Sequence, residues 1–207
     1  MKSKTWKHFA DDVDGICQAV RADHINHLIE GIWETYKSQK QFFICGNGGS
    51  ALNASHFAQD LSKGVIENGS SKPRIRAISL SNDIGFITAT SNDDSYDNIF
   101  VNQLITLANE GDSLFVISGS GNSENVVRAV DYAELNGIKT YGILGYDGGV
   151  CKSKVQKFIH INYNHMEKCE SVMSIILHYV MCELKTRFEF CKNWHESYRL
   201  TGIQEES

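Results

Sequence analysis

The chain has only one proline, Pro73, among its 207 residues, so rigid breaks are rare and most of the sequence can form helices and strands. It also lacks any apolar run near the roughly 20 residues that cross a bilayer. The segment from Met1 to Trp6 carries no apolar core of a signal peptide. The net charge is −5 and no basic stripe is present, which makes nucleic acid a poor candidate partner. We therefore expect neither a membrane nor a nucleic acid as partner.

The six cysteines are scattered along the chain and include no close pair. Several of them lie in apolar contexts, where a free thiol behaves as a small hydrophobic side chain. This usage is typical of a reducing compartment, so we expect a cytoplasmic protein. Apolar residues make up 42% of the chain and charged residues 22%, which are ordinary values for a soluble globular protein.

A glycine-rich turn is the most informative feature that is present. The apolar run Phe42–Ile44 leads into Gly46-Asn47-Gly48-Gly49-Ser50-Ala51, the glycine turn, and a helix is predicted to begin near Ser50. Backbone N–H groups and a hydroxyl converge at such a helix start, where an anion can bind. A second turn of the same kind follows the apolar run 114–117. It reads Ser118-Gly119-Ser120-Gly121-Asn122-Ser123 and is called the serine turn below.

The serine turn concentrates three hydroxyls and two glycines at a strand end. A phosphate monoester needs many donors converging on its oxygens, and hydroxyls and free helix N–H groups supply them. The alternative is a polar turn in which Ser123 simply caps a helix, and the two interpretations are compatible. Two such turns at the carboxyl ends of a parallel sheet predict a phosphate-bearing ligand.

Two other phosphate-binding patterns fit less well. A Walker loop needs a lysine after its glycines, and none follows Gly49. The dinucleotide fingerprint would have Ala51 at its third glycine position, which is weak evidence against it because the lax form tolerates alanine. The second turn weighs more against a dinucleotide, as does the lack of an obvious ribose-binding acid on a following strand.

Strand and helix patterns alternate about five times, which predicts an α/β fold with a doubly wound, mainly parallel five-stranded sheet flanked by helices. Strands are predicted over 40–45, 75–79, 113–117, 139–144 and 155–161, and helices over 50–64, 82–91, 96–109, 123–136 and 166–190, with a turn at 145–149.

We expect one domain over 1–207, made of an N-terminal oligomerisation helix region at 1–38, an α/β core at 39–190 and a C-terminal extension at 191–207. Apolar spacing over 6–38 is that of a long helix, interrupted near Asp23. Such an extra amphipathic helix often packs against its copy in another subunit, so we expect a homo-oligomer. The alternative is that it covers its own sheet.

Two predicted helices carry candidate metal ligands. His56 and Asp60 lie four residues apart and share a helix face, which is ligand spacing, although an exposed His–Asp pair gives the same pattern. Glu170 and His178 lie eight apart on the last helix and diverge by about 80° around its axis. They reach one ion only with extended side chains, and the alternative is a surface glutamate with an interface histidine.

The glycine turn, His56-Phe57-Ala58, Ser91-Asn92-Asp93 and the serine turn together resemble the sugar isomerase (SIS) domain, and more narrowly the phosphoheptose isomerases. The similarity runs from the N-terminal helix to about residue 186. It implies conversion of sedoheptulose 7-phosphate to D-glycero-D-manno-heptose 7-phosphate for bacterial surface glycans such as lipopolysaccharide or capsule. It also implies a homotetramer with sites between subunits and one Zn²⁺ per site.

The resemblance also assigns roles to residues. Asp60 and His178 match the two proton-transfer residues. The matched metal ligands are His56, Asp60, Glu170 and His178. The matched substrate contacts are Asn47, Gly48, Gly49, Ser50, Asn92, Asp93, Ser118, Gly119, Ser120, Ser123 and Glu170.

Three positions depart from the family pattern, which usually has glutamate where Asp60 stands, glutamine where Glu170 stands and threonine where Gly119 stands. Two histidines and two carboxylates still form a reasonable zinc set, and a more anionic one. A different sugar phosphate is an open alternative. So is a non-catalytic phosphosugar-binding module or a DnaA-binding adaptor, because the fold alone does not fix catalysis.

Overall fold

A computed structural model describes residues 5–67, 70 and 72–190, and five parallel strands form its central sheet in the order β2-β1-β3-β4-β5. The strands are β1 Gln41–Gly46, β2 Arg76–Ser79, β3 Ser113–Ser118, β4 Lys139–Leu144 and β5 Lys157–His160. The α-helices are α1 Trp6–Ala19, α2 Ala22–Lys37, α3 Gly49–Gln59, α4 Ile84–Asp93, α5 Val101–Leu107, α6 Glu124–Leu135, α7 Gly149–Lys154 and α8 Met166–Phe190. The predicted doubly wound α/β sheet is thereby confirmed.

The sheet is buried on both faces, as its continuous apolar strands require. In β1, Phe42 and Ile44 face a core that includes α2, α3 and α8, while Phe43 and Cys45 face a second core that includes α5 and α6. All four side chains are fully buried. Because helices cover both faces, the carboxyl edge of the strands is where polar turns can collect.

The N-terminal region consists of two helices rather than one, since the helical conformation is interrupted between Ala19 and Ala22, close to the interruption predicted near Asp23. Both helices pack on α8 of their own chain through residues such as Ile16 and Ile32, and α2 also packs on the sheet. The division at residues 39 and 190 stays a prediction, and the extension 191–207 lies outside the described residues.

One local prediction was wrong, and one short helix was not predicted. The single helix expected over 96–109 is a 3₁₀ turn, Tyr96–Asn98, followed by α5, and the two residues between them, Ile99 and Phe100, are both buried. The turn at 145–149 runs directly into α7, which the sequence did not predict. None of the helices in the described part of the chain is long and apolar enough to cross a membrane.

Candidate functional site

The two polar turns lie side by side. Strands β1 and β3 are parallel neighbours with Gly46 opposite Ile117, so the glycine turn and the serine turn leave the sheet at the same edge. Side chains also join them: Asn47 Nδ2 donates to Asn125 Oδ1 and Asn125 Nδ2 donates to Asn47 Oδ1, both at 2.9 Å. The donor groups expected from the sequence therefore form one continuous surface.

The glycine turn is shaped by close backbone approach. Gly48 has a φ of +56°, a conformation that suits glycine, and it precedes the first residue of α3. A Cβ on Gly46 would lie 2.7 Å from the carbonyl oxygen of Ile117, so the neighbouring strands pass too closely for a side chain. The helix start presents backbone N–H groups at the strand edge, with Ser50 buried behind them.

Two hydroxyls of the serine turn accept hydrogen bonds from the backbone of the turn itself. Ser118 Oγ accepts from the Gly121 N–H at 2.9 Å, and Ser120 Oγ accepts from the Asn122 N–H at 3.2 Å. Each of these two hydroxyl oxygens accepts a backbone hydrogen bond, so the hydroxyl proton is not needed within the turn and can be donated to an anion. Ser123 lies at the N-cap of α6, but within the described residues its side chain makes no capping hydrogen bond. The simple capping interpretation therefore does not account for Ser123.

Gly119 has a close neighbour that leaves no room for a side chain. A Cβ built on Gly119 would lie 2.6 Å from Met166 Sδ and 2.7 Å from Met166 Cε. The thioether of Met166, at the start of α8, therefore fills the space that a threonine side chain would need. The serine turn accordingly has no side-chain hydroxyl at this position.

Two of the predicted substrate contacts, Asn92 and Asp93, lie at the exposed carboxyl end of α4. Asn92 Nδ2 donates to Asp93 Oδ1 at 2.7 Å. The 3₁₀ turn that follows brings Tyr96 to the glycine turn, where its hydroxyl donates to Asn47 Oδ1 at 2.9 Å. This contact brings the chain just after Asn92 and Asp93 to the two turns.

Three of the predicted metal ligands come together. Ligand atoms of His56, Asp60 and His178 all lie within 4.8 Å of one another. His56 Nε2 is 3.5 Å from Asp60 Oδ2, and the His56 and His178 rings meet edge to face at 5.1 Å between centroids. Two ligands of a tetrahedral zinc ion, each about 2.1 Å from it, are separated by about 3.4 Å. The donor types therefore suit a zinc ion, and the separation of the His56 and Asp60 ligand atoms matches the spacing around one.

The pocket between these ligands is small, at about 10 Å³, which is room for a single ion or water. It lies between α3 and α8, whose contact is fixed next to the pocket by a 2.9 Å hydrogen bond from Ser174 Oγ to Asn53 Oδ1. Asp60 is only 9% exposed and begins a π-helical turn, Asp60–Gly64, that continues α3. Single π turns inside helices are frequent at functional sites.

Glu170, the fourth predicted ligand, does not belong to this group among the residues that the structure describes. A Cβ built on Gly49 would lie 2.4 Å from Glu170 Oε1, so the carboxylate rests on the first residue of α3. A negative charge is favourable at that helix start. Glu170 lies eight residues before His178 on α8. At this spacing in a helix the two side chains point about 80° apart around the axis, as expected from the sequence.

The cysteines near the site have structural roles. Cys45, directly before the glycine turn, is fully buried, and desolvation raises the pKa of its thiol far above the ordinary value. It therefore stays protonated and does not act as a nucleophile. Cys169, beside Glu170, is buried and donates from its thiol to the Tyr163 carbonyl at 3.0 Å.

Sequence reasoning missed Asn125 and Tyr96. Both side chains hydrogen-bond to Asn47 from distant parts of the chain. A signal for Asn125 was present, because it is a polar residue at a buried position in the first turn of an amphipathic helix. A signal for Tyr96 was absent, since a tyrosine three residues after Asp93 has no fixed direction until the chain folds.

Comparison with known proteins adds independent information. The SIS domain family matches residues 8–145. A phosphoheptose isomerase from a Nitratiruptor species is 39% identical over 151 residues, which cover 73% of this chain and 79% of the relative. A phosphoheptose isomerase from Aliarcobacter butzleri is 36% identical over 186 residues, which cover 89% of this chain and 96% of the relative.

The fold also has a solved counterpart. The structure of a phosphoheptose isomerase from Neisseria gonorrhoeae superposes with a TM-score of 0.79 at 24% sequence identity, over 87% of this chain and 96% of that one. At this identity the likeness concerns the fold alone. It supports the strand order and the placement of helices described above.

Proposed function

Because the chain belongs to the SIS-domain family, and within it to the phosphoheptose isomerases, we propose that it interconverts sedoheptulose 7-phosphate and D-glycero-D-manno-heptose 7-phosphate. One observation carries the proposal to this chain's own residues. Asp60 and His178, which match the proton-transfer pair, come from two different helices and lie within 4.8 Å of each other. A carboxylate and an imidazole that close can serve the two ends of one proton transfer.

The reaction moves a proton between C1 and C2 of the sugar through an enediolate. We assign Asp60 as the base that takes the proton from carbon, since its near-complete burial keeps competing water away from the carboxylate. We assign His178, which is exposed, as the acid and base for the oxygen atoms. A zinc ion held by His56, Asp60 and His178, with Glu170 as the predicted fourth ligand, would supply Lewis-acid polarisation of the carbonyl.

The phosphate end of the sugar is assigned to the serine turn. Its hydroxyls from Ser118, Ser120 and Ser123 and the N–H groups at the start of α6 are donors, which phosphate oxygens require. Binding there is remote from the reacting carbons and holds them in place for proton transfer. Asn47, Gly48, Gly49, Ser50, Asn92 and Asp93 are proposed to contact the sugar between the two ends.

A homotetramer with sites between subunits is the proposed assembly. Ile175 and Tyr179 are 49% and 47% exposed on α8, on either side of the exposed His178. Leu52, four residues before His56 on α3, is 74% exposed. Apolar side chains around a catalytic histidine are better explained by a covering surface than by open water. We also propose a cytoplasmic location and a place in bacterial surface-glycan synthesis.

Asp60→Asn tests the proposed activity. The change removes the base and keeps the size of the side chain, so turnover of sedoheptulose 7-phosphate should be abolished while the thermal unfolding temperature and the affinity for inorganic phosphate stay close to wild type. Asp131→Asn is the matched control, because Asp131 pairs with Lys154 at a partly exposed position away from the metal ligands, and this variant should keep full activity. Wild-type turnover in Asp60→Asn would refute the assignment of the base. A wild-type protein that binds the sugar phosphate without turnover would instead be a binding module.

A further inference from the structure

The carboxamide of Asn47 is held by two side chains from distant parts of the chain. Asn125, in the first turn of α6, forms a reciprocal amide pair with it through two 2.9 Å hydrogen bonds. Tyr96, from the 3₁₀ turn after α4, donates its hydroxyl proton to Asn47 Oδ1, also at 2.9 Å. Three segments that carry predicted substrate contacts therefore meet at one side chain.

Most hydrogen-bonding positions of the Asn47 carboxamide are already occupied. A carboxamide oxygen has two lone pairs, and here Asn125 Nδ2 and Tyr96 Oη occupy both. The carboxamide nitrogen has two protons, and Asn125 Oδ1 takes one of them. One N–H is left over, and the side chain is only partly buried at the edge where the two turns meet.

The position of Asn125 suits it to hold the Asn47 carboxamide. It is 2% exposed, and a buried carboxamide needs hydrogen-bond partners because leaving its polar atoms unpaired is costly. Asn125 directly follows Ser123 and Glu124, so the amide pair also fixes the start of α6 against the glycine turn. Tyr96, by contrast, is half exposed and touches the turn through its hydroxyl end.

We propose that Asn125 and Tyr96 are positioning residues that hold the Asn47 carboxamide with its oxygen saturated, so that Asn47 meets the sugar only as a hydrogen-bond donor. The inference rests on the proposed function, since it concerns the contact between Asn47 and the sugar phosphate. If Asn47 can only donate, the sugar atom that it contacts must be a hydrogen-bond acceptor, that is, a carbonyl or hydroxyl oxygen. A sugar hydroxyl proton finds no free acceptor on this side chain.

A double-mutant cycle separates positioning from direct contact. Tyr96→Phe removes one neutral hydrogen bond at a half-exposed residue, so kcat/KM for sedoheptulose 7-phosphate should fall about fivefold with an unchanged unfolding temperature. In an Asn47→Ala background the same change should have no further effect, because Tyr96 then has nothing to position. Tyr132→Phe, further along α6 and about 10 Å beyond Asn125, is the matched control and should leave both proteins unaffected.

Asn47→Asp tests the donor role itself. It keeps the acceptor oxygens and removes both N–H groups, so its kcat/KM should be no higher than that of Asn47→Ala. The proposal is overturned if Tyr96→Phe has no effect in the wild type, if it causes an equal loss in both backgrounds, or if Asn47→Asp keeps more than half of the wild-type activity.

Failure of the proposed function would show separately, as absence of turnover in the wild-type protein. The cycle is then measured on the dissociation constant for sedoheptulose 7-phosphate by calorimetry. The same non-additivity between Tyr96 and Asn47 is expected there, and additive effects would overturn the inference.

Discussion

Gly121→Ala should damage the serine turn and the stability of the protein together. Gly121 has a φ of +67°, and a Cβ on it would lie 2.0 Å from the carbonyl oxygen of Gly148. That atom belongs to the backbone, so no side-chain rotation relieves the overlap. The turn around Gly121 and the turn before α7 would have to move apart.

The size of the effect follows from two contributions. A non-glycine residue in the left-handed region costs about 1–2 kcal/mol. Moving the turns apart also breaks the 2.9 Å hydrogen bond from the Cys151 N–H to the Gly121 carbonyl, which adds about 1 kcal/mol. A total of about 2–3 kcal/mol lowers the unfolding temperature of a chain of this size by roughly 5–10 °C. The Gly121 N–H also donates to Ser118 Oγ, a proposed phosphate donor, so KM for sedoheptulose 7-phosphate should rise as well.

The assay is thermal unfolding at a fixed protein concentration, which matters if the protein is oligomeric, combined with KM for sedoheptulose 7-phosphate. Gly15→Ala is the matched control. Gly15 lies inside α1, and a Cβ added to it would meet nothing within 4 Å, so alanine should stabilise that helix by about 0.5–1 kcal/mol and leave KM unchanged. Wild-type unfolding temperature and wild-type KM in Gly121→Ala would refute the reasoning about this turn.

Two further predictions concern the metal and the assembly. His178→Ala should reduce bound metal from about one zinc per chain to almost none by elemental analysis, with an unchanged circular dichroism spectrum. His27→Ala, outside the cluster, should keep its zinc, and equal zinc in both variants would contradict the ligand set. Ile175→Lys should lower the molar mass in light scattering because it places a charge in the proposed interface, whereas Ile105→Lys, exposed on α5, should not. A wild-type mass that survives Ile175→Lys would contradict this placement of the interface.

The sequence predicted the sheet well because its strands are short apolar runs between strong turn signals. Gly46 to Ala51 and Ser118 to Ser123 mark strand ends by composition alone, and adjacent parallel strands then bring those ends to one edge. The helix over 96–109 failed for a physical reason. Its apolar spacing is helical, but the first turn forms as a 3₁₀ turn that ends before two consecutive buried residues, Ile99 and Phe100, and local spacing does not predict this tighter geometry.

The site could be predicted only where neighbours in sequence decide geometry. His56 and Asp60 share a helix face whenever α3 forms, so their pairing followed from spacing. The approach of His178 depends on how α8 packs on α3, which no local pattern reveals. The same holds for Met166 against Gly119 and for Tyr96 against Asn47, because contacts between distant segments depend on the folded arrangement.

The starts of α3 and α6 differ in the charges that surround them. Both α3 and α6 begin at a polar turn, and either start attracts an anion through its free N–H groups. At α3 the carboxylate of Glu170 already rests on Gly49. At α6 the nearest acid, Glu124, is engaged by Arg128 Nε at 2.7 Å, and the Ser123 hydroxyl makes no capping bond within the described range. We expect a dianionic phosphate to be repelled by Glu170 and to find donors at α6. This expectation agrees with the proposed orientation, in which the phosphate lies on the serine turn and the uncharged sugar faces Asp60 and His178.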